Sequence, residues 1–397
     1  AEVSSAAAKA DADTGLAERH AARTQDGFYS TFVLRRLSAR LTPRAVRRGI
    51  SANAVTVVSA LIGVGGGVSF AFGSYPALVL GALLLQVSLV LDCVDGEIAR
   101  ATRTRSAFGA WLDGATDRIK EYWALAGLAL AGAHAGHHLW ALATAAMIVQ
   151  TARHMQDFAF SKAVLGAWRA SFRDDRPLSD TAPWQRPAGA PPNGGEPTSA
   201  AMWLRRVLHM PIGERWLILS VAALRGSPAA AVIAYLAVSA FALLWSGLGA
   251  VRRTTAEVGR YGAALRRTLA DYRDDGLLGL LVAGRSPASV LGWALPGLLT
   301  LLDGAAVLVP TAVWAPQWSG AAFGWFALVA WHRYDIVYRR GGSEPNVPAV
   351  ICWMGGGWLV RCRALIAGDA ADAPPVLLLV GIAWLTVCYV PESLLSG

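Results

Sequence analysis

The chain has 397 residues, of which 54% are hydrophobic and 16% are charged, with a formal net charge of +9. Soluble domains usually carry about 25% charged residues, so this composition argues against a wholly soluble or disordered protein and favours several membrane-embedded helices. No compact basic domain stands apart from the apolar runs, so the positive charge gives no support for nucleic-acid binding.

The N-terminal region divides into two parts. Residues 1–26 are rich in alanine and charge and contain no apolar run, which predicts a tail or linker rather than a signal peptide. Phe28, Phe32, Leu37 and Leu41 then recur at near-helical spacing among arginines. This pattern predicts a helix in the membrane interface with its arginines near anionic headgroups, and a soluble basic arm is the alternative.

Apolar runs long enough to span a bilayer follow, and they predict an all-α polytopic membrane protein. Six predicted spans form a first set, at 53–73, 76–92, 108–133, 138–155, from about 212, and 228–250. Three further spans form a second set, at 288–313, 321–337 and 375–390, where the glycines at 355–357 could belong to a re-entrant segment. We therefore expect a six-helix bundle plus about three additional transmembrane helices.

Two polar stretches interrupt the spans, and the second of them separates two predicted membrane domains. Residues 174–200 are rich in proline and predict a cytoplasmic loop, and residues 254–275 predict a charged amphipathic connector. The expected membrane domains are therefore 27–253 and 276–397, and the role of the second is open. Asp303 lies inside a predicted span of that second domain. A polar cluster at 332–339 favours either a contact to a substrate or lipid headgroup or an anchor at the membrane edge.

The arginines predict the orientation, because cytoplasmic loops carry an excess of basic residues. Arg100, Arg103 and Arg105 lie between the second and third spans, whereas the loops at 73–76 and 133–138 contain neither lysine nor arginine. We expect a multi-pass protein of the cell membrane whose N-terminus and second-to-third loop face the cytoplasm.

Four aspartates fall at the predicted cytoplasmic ends of the second and third spans: Asp92, Asp95, Asp113 and Asp117. A charged residue costs roughly 2.5–3.5 kcal/mol at the centre of a membrane helix, so these carboxylates must be neutralised. Their i, i+3 and i, i+4 spacings place each pair on one helical face, and a helical hairpin can point the two faces at each other. Such an oxygen cluster suits Mg²⁺, with Mn²⁺ as the alternative, and two ions could be held.

Other interpretations of the aspartates are helix caps paired with nearby arginines, or an ion path in a transporter or a non-catalytic scaffold. A transporter would usually show repeats or broken helices near the bilayer midplane. The sequence shows no repeat, and the carboxylates are expected at one membrane face.

Small residues lie between the two aspartate pairs. The full run is Asp92-x-x-Asp95-Gly96-x-x-Ala99-Arg100, eight residues, then Gly109-x-x-x-Asp113-x-x-x-Asp117. In residue type and spacing it resembles the signature of the CDP-alcohol phosphotransferase family. The resemblance extends over about 27–253, where Asn53 and Thr56 match residues that often open the first span, although Ala52 replaces a proline common there.

Two shorter segments resemble one branch of that family. Residues 26–28 and 211–215 look like the branch that makes di-myo-inositol phosphate phosphate and related polyol phosphodiesters. In that branch the transferase is often fused behind a cytidylyltransferase domain, so such a domain could lie upstream of this chain. Residues 276–397 resemble the C-terminal extensions of some actinobacterial members.

The resemblance implies a Mg²⁺-dependent enzyme of phospholipid or polyol-phosphodiester synthesis. It would move a phosphoalcohol from a CDP-alcohol to an acceptor hydroxyl and release CMP. The four aspartates would hold the metal pair, Asp113 and Asp117 would be catalytic, and Asp117 would be the general base. The expected donor contacts are Asp92, Gly96, Ala99, Arg100, Gly109, Asn53 and Thr56.

The family also implies membrane lipids as partners and a homodimer. The glycines at 63 and 65–67 would allow close helix packing, either in that dimer or within one subunit. Arg153, Lys162 and Arg215 could bind an acceptor phosphate, or they could be ordinary basic residues of the cytoplasmic side. The acceptor could be an alcohol or a polyol phosphate, and the donor either a water-soluble CDP-polyol or CDP-diacylglycerol.

Overall fold

The computed structural model describes residues 27–171, 200–267, 292–340 and 374–395. Within these ranges the regular structure is helical and contains no strand, which confirms the all-α prediction for this part of the chain. The predicted tail at 1–26, the loop at 174–199, the end of the connector at 268–275 and the glycines at 355–357 lie outside the described residues.

The helices from α1 to α5 follow one another along the chain with short connections. A π-helical turn, Ser30–Leu34, leads into α1, and 3-10 turns at Gly292–Ala294 and Pro316–Trp318 precede α9 and α10. The α-helices are α1 (Arg35–Arg47), α2 (Ala52–Ala71), α3 (Tyr75–Ala101), α4 (Ala107–His134), α5 (Trp140–Ser171), α6 (Ala200–Leu208), α7 (Ile212–Ala223), α8 (Pro228–Arg267), α9 (Leu295–Trp314), α10 (Ser319–Arg340) and α11 (Pro374–Leu395).

Four of the described helices are long and apolar enough to cross a membrane: Ala52–Ala71, Tyr75–Ala101, Pro228–Arg252 and Leu295–Trp314. This supports the multi-pass prediction, whereas the count of nine spans stays a prediction. The predicted fifth span forms only α7, which is about 18 Å long and therefore shorter than the roughly 30 Å hydrocarbon core of a bilayer. The predicted sixth span and the start of the connector form one continuous helix, α8.

The described chain divides into two units. The first comprises residues 27–135 and 200–235, and the second comprises 136–171, 236–267, 292–340 and 374–395. In the first unit α2 packs against both α3 and α4, while α3 also packs against α1 and α7. In the second unit α5 packs against α9 and α10, and α10 packs against α11.

In the second unit, polar side chains lie between helices. Arg333 Nη2 is 3.1 Å from Asp303 Oδ2, and both side chains are buried. His154 Nδ1 is 2.6 Å from the hydroxyl of Tyr334. The described part of the predicted cluster at 332–339 is therefore largely buried between helices, and the ion pair joins α9 to α10.

Helix α1 is fixed to α3 by a buried carboxylate. Glu97 accepts hydrogen bonds from Ser38 Oγ at 2.6 Å and Thr42 Oγ1 at 2.5 Å, and it forms an ion pair with Arg35 at 2.9 Å. One face of α1 is thereby bound to α3, while apolar side chains on its other face are exposed. The structure thus contains the predicted N-terminal helix, and its position at a membrane surface stays a prediction.

Glycines allow α2 to approach α4 at backbone distance. A Cβ at Gly67 would overlap the backbone of Trp123 and Ala124, and a Cβ at Gly127 would overlap the carbonyl of Gly67. Small residues permit such close helix packing in membranes. Part of the small-residue face considered for a dimer is therefore used within this subunit, and the homodimer itself stays a prediction.

We expect Gly67→Ala to lower the free energy of unfolding by about 1–3 kcal/mol, because the added methyl group overpacks the α2–α4 contact. Gly65→Ala is the matched control, since a Cβ there would first meet Leu84 Cδ1 at 3.9 Å. Both changes occur in the same helix, so their difference isolates packing from helix propensity. Unfolding in detergent would compare the variants, and equal stability would contradict the close contact.

Candidate functional site

Carboxylates of α3 and α4 meet beside α2. Asp92 and Asp95 lie on α3 and Asp113 lies on α4, and one oxygen of each falls within 4.8 Å of the others. Asp95 is buried, whereas the other two are partly exposed. Ionised carboxylates this close together repel one another unless a cation lies among them. Their all-oxygen donor set fits a hard divalent ion such as Mg²⁺.

Helix α2 supplies hydroxyl groups that orient two of these carboxylates. Thr56 Oγ1 donates a hydrogen bond to Asp95 Oδ2 at 2.6 Å, and Ser59 Oγ donates to Asp92 Oδ1 at the same distance. Thr56 was expected to contact the donor substrate, and the structure places its hydroxyl on a carboxylate of the cluster. Hydroxyl donors of this kind fix the direction in which a carboxylate presents its remaining lone pairs.

Asp117 lies one turn beyond Asp113 on α4 and reaches the cluster through a lysine. The ammonium of Lys120 is 2.9 Å from Asp117 Oδ1 and 2.5 Å from Asp92 Oδ2. It therefore bridges a carboxylate of α4 and a carboxylate of α3. The three carboxylates grouped within 4.8 Å do not include Asp117. Its roles as metal ligand and general base stay predictions.

The helix ends beside the aspartates come close together at Gly109. Ser106 caps the start of α4 by accepting a hydrogen bond from Gly109 N at 2.9 Å. A Cβ at Gly109 would lie 3.2 Å from Asn53 Oδ1, so glycine leaves room for the approach of α2 to α4. Three further predicted donor contacts lie in the last turns of α3 and are half-buried: Gly96, Ala99 and Arg100.

A second ionic cluster surrounds Glu121, the residue that follows Lys120. Glu121 pairs with Arg118 on its own helix, accepts a hydrogen bond from the hydroxyl of Tyr235, and lies 3.6 Å from Arg215 Nη2. Arg215 also donates to the carbonyl of Met210 at 2.8 Å. All four charged or hydroxyl-bearing side chains of this cluster are buried. The cluster therefore joins α4 to α7 and α8.

Of the three basic residues expected to bind an acceptor phosphate, the structure describes the side chains of two, and these two belong to different units. Arg215 is buried in the first unit beside Glu121. Arg153 belongs to the second unit, where its Nε is 3.5 Å from Asp157 Oδ2. The side chain of Lys162 lies outside the described part of the chain. Their acceptor roles stay predictions.

Sequence reasoning missed Lys120 and Ser59. Lys120 is one of only three lysines among 36 basic residues, and it stands three positions after Asp117, on the same helical face. That spacing and the rarity of lysine were the available signals. Ser59 carried no comparable signal, because its partner Asp92 is 33 residues away.

Comparison with known proteins gives a family match over part of the chain. Residues 50–171 match the family model described as CDP-alcohol phosphatidyltransferase. The bifunctional IPC transferase and DIPP synthase of Aquifex aeolicus is 38% identical over 105 residues, which are 26% of this chain and 23% of that protein. The protein of the same name in Thermococcus kodakarensis is 37% identical over 108 residues, 27% of this chain and 24% of that protein.

A third relative has a different name. The archaetidylinositol phosphate synthase of Pyrococcus horikoshii is 36% identical over 84 residues, which are 21% of this chain and 43% of that protein. The chain thus spans less than half the length of each of these three relatives. The family model and the relatives' names confirm the resemblance inferred from the aspartate motif, including its branch.

We expect Thr56→Val to weaken Mg²⁺ or Mn²⁺ binding by about 10- to 100-fold, because Asp95 loses the hydroxyl that orients it. Thr151→Val is the matched control, since that buried hydroxyl donates to the carbonyl of Met147 on its own helix. Calorimetric titration of detergent-solubilised protein would measure the dissociation constant of the ion for each variant. An unchanged dissociation constant for Thr56→Val would contradict the orienting role.

Proposed function

We propose, from the match of residues 50–171 to the CDP-alcohol phosphatidyltransferase family model, that this chain transfers a phosphoalcohol from a CDP-alcohol to an acceptor hydroxyl and releases CMP. The observation that carries the proposal is the meeting of Asp92, Asp95 and Asp113 from two helices within 4.8 Å. All three belong to the aspartate motif, and their carboxylate oxygens are the kind of ligand that divalent ions prefer.

The proposed metal set consists of Asp92, Asp95 and Asp113, with Asp117 completing a site for two Mg²⁺ or Mn²⁺ ions. Bound ions would offset the negative charge of the pyrophosphate and of the leaving CMP. The protein's own contribution is to hold the carboxylates in place, through Thr56 and Ser59 on α2.

The transfer requires one bond to form and one to break. The acceptor oxygen forms a bond to the phosphorus that bears the alcohol, and the bridging phosphorus–oxygen bond breaks, so that CMP leaves with the bridging oxygen. The acceptor's proton goes to a base, for which we propose Asp117. The ammonium of Lys120 lies 2.9 Å from Asp117 Oδ1 and fixes the position of this carboxylate.

Donor contacts are proposed for the residues around the helix ends. Gly96, Ala99 and Gly109 are small or lack a side chain, which leaves space for a cytidine beside the carboxylates. Arg100, in the last turn of α3, is proposed to offset the charge of the pyrophosphate, and Asn53 faces the same region from α2. Arg153, Lys162 and Arg215 remain the candidates for an acceptor phosphate.

Two classes of donor fit the proposed reaction. A water-soluble CDP-polyol and CDP-diacylglycerol present the same cytidine and pyrophosphate to the motif, and they differ only in the alcohol. The matched relatives are named as DIPP and archaetidylinositol phosphate synthases, which supports a polyol-phosphate acceptor. A panel of both donors with polyol-phosphate acceptors separates the two classes.

The setting proposed for this reaction is the cytoplasmic face of the cell membrane, in a homodimer. The arginine bias of the loops supports the orientation, and the four apolar helices support the membrane location. An upstream cytidylyltransferase domain and a lipid-facing role for α1 also stay proposals. A transporter or scaffold would bind an ion at the aspartates without releasing CMP, so product analysis distinguishes these alternatives.

We expect Asp92→Asn, Asp95→Asn and Asp113→Asn each to abolish turnover, because each removes a charged ligand from the proposed metal set. The assay is CMP release from the donor panel in Mg²⁺. A monodisperse gel-filtration profile in detergent serves as the control for folding. Near-normal CMP release by a folded variant would exclude its residue from the metal set.

Asp117→Asn is expected to behave differently, because a general base acts on the chemical step rather than on donor binding. Donor binding should stay within about tenfold, or about 1.4 kcal/mol, of the wild type. Turnover should fall by about 10²–10⁴. Calorimetry and turnover on one preparation would decide this, and a joint collapse of both would make Asp117 mainly a metal ligand.

A further inference from the structure

Lys120 is a buried cation placed among the motif aspartates. Its side chain is 0% exposed, and its Nζ lies 2.5 Å from Asp92 Oδ2, 2.9 Å from Asp117 Oδ1 and 3.4 Å from Ser59 Oγ. A buried ammonium is costly unless carboxylates and hydrogen bonds compensate it. Here two carboxylates and a hydroxyl do so, and one of those carboxylates, Asp92, also belongs to the three-aspartate cluster.

The surroundings of Lys120 hold its ammonium in this position. Gly63 on α2 leaves room for the side chain, since a Cβ there would lie 2.5 Å from Lys120 Cγ and 2.6 Å from Cδ. The ring of Trp216, on α7, has its centroid 5.7 Å from Nζ, within range of a cation–π contact. Residues of α2 and α7 therefore direct the ammonium of Lys120, on α4, at the aspartates.

We propose that Lys120 is a positioning residue whose ammonium serves as a permanent cation of the site. It holds Asp92 and Asp117 in place while the site contains no divalent ion, and its positive charge weakens divalent-ion binding while no donor is present. This inference rests on the proposed function, because it treats the aspartates as the metal set.

The charge balance explains why such a cation would matter. With one ammonium among four carboxylates, a first divalent ion brings the site close to neutral, and a second makes it cationic. The pyrophosphate of a donor supplies negative charge that offsets the second ion. Lys120 would therefore make tight binding of the full ion set depend on the donor.

The test measures the thermal unfolding temperature of wild type and Lys120→Met in detergent. The measurement begins with metal-free protein in EDTA and continues at increasing concentrations of free Mg²⁺. Without the ammonium, Asp92 and Asp117 repel each other, so the variant should unfold at a lower temperature in EDTA. Mg²⁺ should then restore more stability than in wild type. The half-saturating Mg²⁺ concentration should fall by roughly tenfold, because a neighbouring positive charge no longer opposes the ion.

Glu121→Gln is the matched control for a purely structural effect. Glu121 adjoins Lys120 in sequence and is equally buried, but it pairs with Arg118, Arg215 and Tyr235 instead of the aspartates. Its variant should lose similar stability in EDTA and in Mg²⁺, with an unchanged half-saturating concentration. The same pattern in Lys120→Met would overturn the proposal, as would weaker Mg²⁺ binding.

Gly63→Ala provides a second route if Lys120→Met does not fold. The added methyl group displaces the Lys120 side chain without changing the charge of the protein. Mg²⁺ should again bind more tightly than in wild type, and unchanged or weaker binding would overturn the proposal.

The wild-type titration separates failure of this inference from failure of the proposed function. A wild-type protein that does not respond to Mg²⁺ would overturn both the metal set and this inference. One that responds to Mg²⁺ but releases no CMP would overturn only the proposed reaction.

Discussion

The architecture around the site depends on the mutual repulsion of carboxylates that lie close together near the ends of two helices. Asp92, Asp95 and Asp113 come within 4.8 Å of one another, and in a medium of low dielectric such charges must be compensated locally. The compensation comes from hydroxyls of α2 and from the ammonium of Lys120. Helix α2 can lie close enough to supply these hydroxyls because its glycines admit α4 and the Lys120 side chain.

Two further buried carboxylates adjoin the site in the sequence and point away from it. Glu97 follows Asp95 by two residues and binds α1 through a serine, a threonine and an arginine. Glu121 follows Lys120 directly and binds Arg215 on α7 and Tyr235 on α8. Each aspartate-bearing helix is thus anchored to a neighbouring helix about one turn from an aspartate, Asp95 on α3 and Asp117 on α4, which limits how far the carboxylates can move relative to one another.

The sequence contained enough information for the helical class and the family, because both depend on local patterns. Apolar runs predict helices, and the motif aspartates predict a hairpin that brings them together. The partners of those aspartates were not predictable in the same way. Lys120 and Ser59 are 61 residues apart, and their encounter depends on how α2 packs against α4. Likewise, the sequence pattern predicts that Arg215 is an ordinary basic residue of the cytoplasmic side, whereas in the structure it is buried and paired with Glu121.

The measurement that tests the central claim most directly is CMP release by the purified protein. CDP-polyol and CDP-diacylglycerol donors would each be paired with polyol-phosphate acceptors, in Mg²⁺ and in EDTA. The account predicts CMP in equal amount to a new phosphodiester with at least one pair, only when the divalent ion is present, and none from Asp95→Asn. Absence of CMP from every pair, or release that survives both EDTA and Asp95→Asn, would contradict it.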